Sequence, residues 1–234
     1  VHLTIESIGA GKVKPSRIVL WLDEFEALER LPRGLKRASR RGLEIRNCEN
    51  LGPHKKYYPY VSEAVHETST VLVTADDDVL YPRGWMSDLS DAHSQWPNDV
   101  LCFRAHRIRL ANDGIAPYLE WGRESSTVAS HTVFATGVSG VLYPSEMVRQ
   151  LRAAGRAFDP VARSTDDIWL HRVALRSGIK ARQVVAPARL FLSIPSTNRV
   201  QLASDNVAGG KNDAIISELY EPSDVRTIQN EIRS

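Results

Sequence analysis

Six residues, Thr70-Val-Leu-Val-Thr-Ala75, run straight into three aspartates, Asp76-Asp77-Asp78. An unbroken run of apolar and β-branched side chains suits a strand covered on both faces, as in the interior of a parallel sheet. Such a strand delivers the next residues of the chain to the carboxyl edge of the sheet, where open α/β sheets bind ligands. Three neighbouring carboxylates repel one another there, so a positive group has to lie close. A hard divalent cation, Mg²⁺ or Mn²⁺, matches carboxylate oxygens. Mg²⁺ in particular takes one or two protein carboxylates and completes its shell with water and substrate phosphates. The competing reading is structural: one aspartate caps the next helix and the others are solvated.

The flanking sequence places this strand in an alternating pattern. Val1 to Gly9 has helical spacing, with Val1, Ile5 and Ile8 on one face. Arg17 to Leu22 is a second apolar run, bounded by Pro15 and Asp23, and reads as a strand buried on both faces. Glu24 to Leu31 reads as helix, Gly34 to Arg41 as a basic segment, and Leu43 to Asn47 as another strand. After a loop at Asn50 to Pro53, Pro59 opens a helix to about Glu67, with Tyr60, Val61, Ala64 and Val65 inside. Pro82 opens a further helix, in which Trp85, Leu89, Ala92 and Trp96 recur at helical spacing. Strand and helix therefore alternate through the first hundred residues, the signature of a mostly parallel sheet with crossover helices.

The character then changes. Val100 to Leu110 reads as strand, Asn112-Asp-Gly114 as a hairpin turn, and Thr132 to Thr136 and Gly140 to Tyr143 as short strands. Pro144 to Ala154 and Asp166 to Arg176 read as helices and Ile179 to Val185 as a late strand. Past Pro195 the chain is polar, with a short helix near Asp213 to Leu219. The expected organisation is one α/β domain over 1–195 and a loop-and-helix tail over 196–234.

Thirty basic residues against 28 acidic ones leave a net charge of +2, so no polyelectrolyte signal points to nucleic acid. No apolar run approaches the roughly 20 residues that span a bilayer, and no signal-peptide pattern opens the chain. Cys48 and Cys102 lie in strand-like stretches and read as buried free thiols of a reducing compartment. The first residue is Val, which suggests a fragment, a processed form or a domain of a longer multidomain chain.

Other residues carry two readings each. Lys55 and Lys56, beside a predicted helix start, suit phosphate or base, or are simply solvated. Asp23, at the end of its strand, suits a base or ribose hydroxyl, or caps the segment from Glu24. Gly137 and Gly140 permit close backbone approach to a ligand, or make a bulge. Trp121 and Trp169 suit sugar stacking or core. His171 suits a late metal ligand or a satisfied structural histidine, and no paired Cys/His zinc spacing occurs.

The stretch from Val71 through the aspartates to Val79-Leu-Tyr-Pro-Arg-Gly-Trp85 resembles the metal-binding DXD segment of the GT-A glycosyltransferases, in the manner of bacterial family 2-like and exostosin-like enzymes. The likeness covers roughly Ile18 to Val185, with only short motifs specific within it. It implies a GT-A, Rossmann-like fold: a central mostly parallel sheet flanked by helices, with a small antiparallel subsheet on the acceptor side. It implies transfer of a sugar from a nucleotide diphosphosugar, such as a UDP- or GDP-sugar, to a saccharide or lipid-linked acceptor, with Mn²⁺ or Mg²⁺. By position, Asp76 or Asp77 faces the ribose and Asp78 holds the metal, with Asp76 beside it. Lys55, Lys56 and Asp23 fall where such enzymes pass the nucleotide. Thr136 to Pro144 resembles the small-residue stretch lining the groove. In inverting members an acidic pair opening a helix supplies the base, a role that falls on Asp166 or Asp167, with Asp167 preferred. The GT-A sheet normally opens with a strand bearing the base contacts. Here that strand is expected to be missing or supplied from upstream. The implied setting is bacterial surface-polysaccharide synthesis in the cytoplasm, with peripheral contact at the inner face of the plasma membrane, for which Arg33 to Arg41 is a weak basic signal. The alternatives are a nucleotidyltransferase, against which stands the lack of a Gly-rich phosphate loop, and a non-catalytic carbohydrate-binding domain.

Overall fold

The computed structural model describes residues 1–24, 30–63, 69–111, 114–194 and 210–233. They form a mixed α/β molecule with several small sheets, in which strands pair both parallel and antiparallel. In chain order the first half contains helix α1 (His2–Gly9), strand β1 (Ile18–Leu22), α2 (Arg33–Ser39), β2 (Leu43–Asn47), a 3₁₀ turn (Gly52–Lys56), α3 (Tyr58–Ser62), β3 (Leu72–Thr74), β4 (Val79–Leu80) and α4 (Trp85–Gln95). Next come β5 (Val100–Cys102), β6 (Ala105–Arg107), β7 (Leu110–Ala111), β8 (Gly114–Ile115), β9 (Gly122–Arg123), β10 (Val133–Ala135) and β11 (Val141–Tyr143). The chain continues with α5 (Ser145–Ala154), α6 (Asp166–Arg176), β12 (Ala181–Gln183), β13 (Leu192–Ser193), α7 (Lys211–Leu219) and α8 (Pro222–Arg233).

The central sheet runs β12-β5-β11-β3. β12 is parallel to β5, and β11 is antiparallel to both of its neighbours. Its side chains divide by alternation. Val100, Cys102, Val141 and Tyr143 join one apolar cluster with Ile168 and Trp169 of α6. Leu101 and Leu142 join the opposite cluster with Trp85, Leu89 and Ala92 of α4. β5 and β11, apolar throughout, are thus covered on both faces. A separate antiparallel sheet, β10-β6-β9, stands beside it.

The expected strand Val100 to Leu110 is broken after Cys102. β5 joins the central sheet, and β6 joins the antiparallel one, with Arg104 at the bend. Gln183 pins that bend, accepting from the Ala105 N–H at 3.0 Å and donating to the Glu124 carbonyl at 3.1 Å. β7 and β8 pair antiparallel across the expected hairpin turn, whose residues 112–113 lie outside the described part.

Three local expectations change. Arg33–Ser39, read as a basic segment, is helical and buries Leu35 and Ala38. β1, read as buried on both faces, is half-buried throughout. Among the described strands its partner is β2, in parallel register, and its residues border a large cleft. Cys48 is half-buried, whereas Cys102 is fully buried. The expected helix over Glu24 to Leu31 falls largely outside the described residues, as does the end of the one opened by Pro59, where α3 covers Tyr58–Ser62.

The C-terminal helices are packed elements. Ile216, Leu219, Tyr220 and Ile228 belong to the main apolar cluster. Asp224 receives both Nε and Nη2 of Arg176, at 2.9 and 2.8 Å. The boundary expected at 195/196 lies outside the described residues.

Gly140 illustrates how tightly the sheet meets α4. Its φ is +86°, and a Cβ there would lie 2.5 Å from the Trp85 ring, whose indole N–H donates to the Ser139 carbonyl at 2.9 Å. Gly140→Ala combines left-handed backbone strain with overpacking and is expected to cost about 2–4 kcal/mol, or roughly 5–15 °C in unfolding temperature. Gly178→Ala, also at positive φ but with open space around it, should cost only about 1 kcal/mol. Equal losses in thermal denaturation of the two variants would contradict this packing account.

Candidate active site

The carboxyl end of β3 opens into a cleft of about 1580 Å³ lined by Asp76, Asp77 and Asp78. None of the three caps a described helix: the N-cap of α4 is Gly84. The turn is held from outside. Thr4 Oγ1 of α1 donates to the Asp77 carbonyl at 2.7 Å, and Ser7 Oγ accepts from the Tyr81 N–H at 3.0 Å. Tyr81 Oη accepts from the Asp76 N–H at 2.8 Å, and the Asp78 carbonyl accepts from the Ile194 N–H at 2.6 Å. α1 and the β4–β13 pair therefore fix the backbone of the triplet. Asp76 and Asp78 are half-buried, and Asp77 is exposed.

The second acidic pair reaches the same cleft from α6, about ninety residues along the chain. Thr165 is the N-cap and makes no side-chain cap bond. Asp167 Oδ1 instead accepts from the Gly137 N–H across the cleft floor, at 3.0 Å. That partner favours a site role over simple capping. Burial, then the neighbouring Asp166, push Asp167 well above the usual carboxylate range, to about 7. Lys56 and the Gly137 N–H pull the other way and do not outweigh them.

Lys56 joins the two acidic groups. Its Nζ lies 2.7 Å from Asp76 Oδ1 and 4.0 Å from Asp166 Oδ2. Burial alone would lower the Lys56 pKa, but Asp166, Asp76 and Asp167 together raise it well above the ordinary lysine value. Lys55 Nζ donates to Asp23 Oδ1 at 2.8 Å, so Asp23 meets the cleft through Lys55. Burial opposes ionisation of Asp23, but the Lys55 bond prevails and its pKa is lowered. The lysines are ion-paired, which answers the reading of them as merely solvated.

Gly137 lies at the centre of this group. A Cβ there would sit 3.3 Å from Asp167 Oδ1 and 3.6 Å from Lys56 Nζ. Gly140, by contrast, is required by Trp85 rather than by a ligand. His171 is buried with both nitrogens used: Nδ1 accepts from Tyr220 Oη at 2.6 Å, and Nε2 donates to the His131 carbonyl at 3.0 Å. Burial lowers its pKa to about 4, so it is a neutral structural histidine. Trp169 is core, whereas Trp121 is buried yet borders the cleft. Arg104, His106 and Tyr118 also line the cleft, and no sequence motif marks them.

Among the described residues no group of three or more His, Cys, Asp or Glu is disposed to hold a metal ion. The oxygens of the triplet suit a cation that takes few protein ligands and fills its shell from substrate phosphates. Asp76 is also ion-paired with Lys56. Among the described residues no helix is long and apolar enough to cross a membrane. Comparison with protein-family models and with curated proteins gives no match.

Proposed function

We propose that the chain is a metal-dependent, inverting glycosyltransferase of the GT-A type, using a nucleotide diphosphosugar such as a UDP- or GDP-sugar and a saccharide or lipid-linked acceptor. The observation that carries this reading is the meeting, in one cleft, of the Asp76-Asp78 turn and the Asp166-Asp167 pair, with Lys56 between them. The mixed central sheet with its adjoining antiparallel sheet is compatible with that fold.

In this reading Asp78, with Asp76, would hold Mn²⁺ or Mg²⁺, which when bound would supply charge stabilisation for the departing diphosphate. Asp76 or Asp77 meets the ribose, and Asp23, Lys55 and Lys56 lie along the nucleotide. Asp167, with Asp166 beside it, takes the proton of the acceptor hydroxyl as its oxygen attacks the anomeric carbon. The bond from that carbon to the phosphate oxygen breaks, and the nucleoside diphosphate leaves with the bonding pair. Lys56 offsets charge on both sides of the reacting centre. The expected setting is polysaccharide synthesis at the inner face of the plasma membrane.

The test is thermal denaturation with UDP- and GDP-sugars in Mn²⁺ or EDTA. At a ligand concentration of 100 Kd, stabilisation of about 2.7 kcal/mol, roughly 5–10 °C, is expected with metal and is absent with EDTA. Asp78→Ala should abolish the metal-dependent shift. A shift with nucleoside triphosphates alone, or with free glycan alone, would overturn the assignment.

A further inference from the structure

Beyond the acidic groups, the cleft contains a cation that no described carboxylate neutralises. Arg104 is half-buried at the bend after β5, and no carboxylate lies within ion-pair distance of it among the described residues. Its Nη1 donates to Thr136 Oγ1 at 3.0 Å, and its Nη2 lies 3.3 Å from His106 Nε2. His106 adds no competing charge: burial, then Arg104 itself, hold its pKa at about 4, so the ring accepts from the guanidinium. The half-buried lysines of the cleft, Lys55 and Lys56, are both paired with aspartates.

Thr136 and Gly137 tie this cation to the proposed base. Thr136 accepts from Arg104, and the next residue, Gly137, donates to Asp167 at 3.0 Å. The Tyr118 phenol lies in the field of both groups. Burial and Asp167 push it up, Arg104 draws it down, and the result is about 12. Tyr118 packs on Trp121 with ring centroids 4.9 Å apart, and its N–H is held by Asp213 of α7 at 2.6 Å. A fixed aromatic platform of this kind suits a sugar face. β11 separates β5 from β3 in the sheet, so Arg104 stands two strand spacings, about 10 Å, from the strand that leads to Asp76-Asp78. The backbone at Arg104 is thus set apart from the aspartate turn, within the same cleft.

We infer that the acceptor carries an anionic substituent, carboxylate or phosphate, close to the hydroxyl that reacts, and that Arg104 binds it while Tyr118, itself packed on the buried Trp121, supports the ring. The word acceptor rests on the transferase reading; the anionic-sugar subsite does not. A planar guanidinium accepts either anion bidentately and gains most where burial has removed water.

The test is ligand-observed NMR titration of methyl β-D-glucuronide, glucose 6-phosphate and methyl β-D-glucoside against the native protein and Arg104→Gln. At low salt at least one anionic probe should bind about 10- to 100-fold more tightly than the neutral glucoside. Preference for the glucuronide marks a carboxylate, and preference for the 6-phosphate marks a phosphate. Arg104→Gln should bring the ratio to about one. Arg104→Lys, which keeps the charge without the fork and serves if the glutamine variant does not fold, should leave a reduced preference. Equal binding of all three probes, or a preference that survives Arg104→Gln, overturns the inference. So does weaker UDP or GDP binding by Arg104→Gln, which would place the guanidinium on the donor. If the native protein separates the glycosides but binds no nucleotide sugar, the transferase reading fails and this subsite stands.

Discussion

Asp167→Asn is expected to cut sugar transfer about 10³-fold while raising the unfolding temperature at pH 8. The kinetic loss comes from removing a general base, whose contribution is typically 10²- to 10⁴-fold. The gain in stability comes from the sign of the shift. The folded-state pKa of Asp167 is raised to about 7 by burial and by Asp166. The native state therefore holds a proton that the unfolded chain has already released, and stability falls as pH rises from about 4 through 7. The rise from the ordinary carboxylate value to about 7 sets an upper bound of about 4 kcal/mol, which the partial exposure of Asp167 reduces to about 1–2 kcal/mol. Asparagine keeps the acceptor for the Gly137 N–H without the charge, so a rise of roughly 2–6 °C is expected at pH 8 and little change at pH 4. The metal-dependent shift with a nucleotide sugar should persist. Full turnover, or a lower unfolding temperature at pH 8, would contradict the assignment of Asp167 as a half-buried base.

Lys56→Met should act in the opposite direction. Its ammonium lies between Asp76 and Asp166, and Asp167 is close enough to raise its pKa further. A lysine raised in the folded state stabilises fully below its ordinary value and loses that contribution only as pH climbs through the higher one. At pH 8 the contribution is intact. Removing one member of a buried ion pair costs about 3–5 kcal/mol, and the partial exposure of this side chain lowers the expectation to about 1–3 kcal/mol. A fall of roughly 3–10 °C at pH 8 should shrink at pH 5, where the Asp167 carboxyl is already protonated and less negative charge is left uncompensated. Equal losses at both pH values would mean that Lys56 contributes by packing alone.

Much of this site was legible because its motifs are local. Thr70-Ala75 followed by three aspartates gives a strand and a charged turn from pattern alone, and the structure places β3 and the cleft there. Asp166 and Asp167 open α6 as expected. What pattern cannot supply is which distant groups meet. Lys56 lies twenty residues before Asp76 and far from Asp166, and only the folded chain brings its Nζ between them. Arg104 was hidden because Val100 to Leu110 reads as one strand, and the bend that exposes it depends on Gln183, far along the chain. The glycines were visible as special without their reasons. Gly140 answers to Trp85, and Gly137 to Asp167 and Lys56. The apolar run of β1 implied two covered faces, but the cleft borders it and leaves every residue half-buried.

The most direct test is the pH dependence of nucleoside diphosphate release from UDP- and GDP-sugars in Mn²⁺, with glycoside acceptors present. Release from at least one donor is expected. Its rate should rise with pH along an acid limb at or below about 7, the value of Asp167, and the limb should vanish in Asp167→Asn. No release from any donor, or a profile flat from pH 5 to 8 in the native protein, would contradict it.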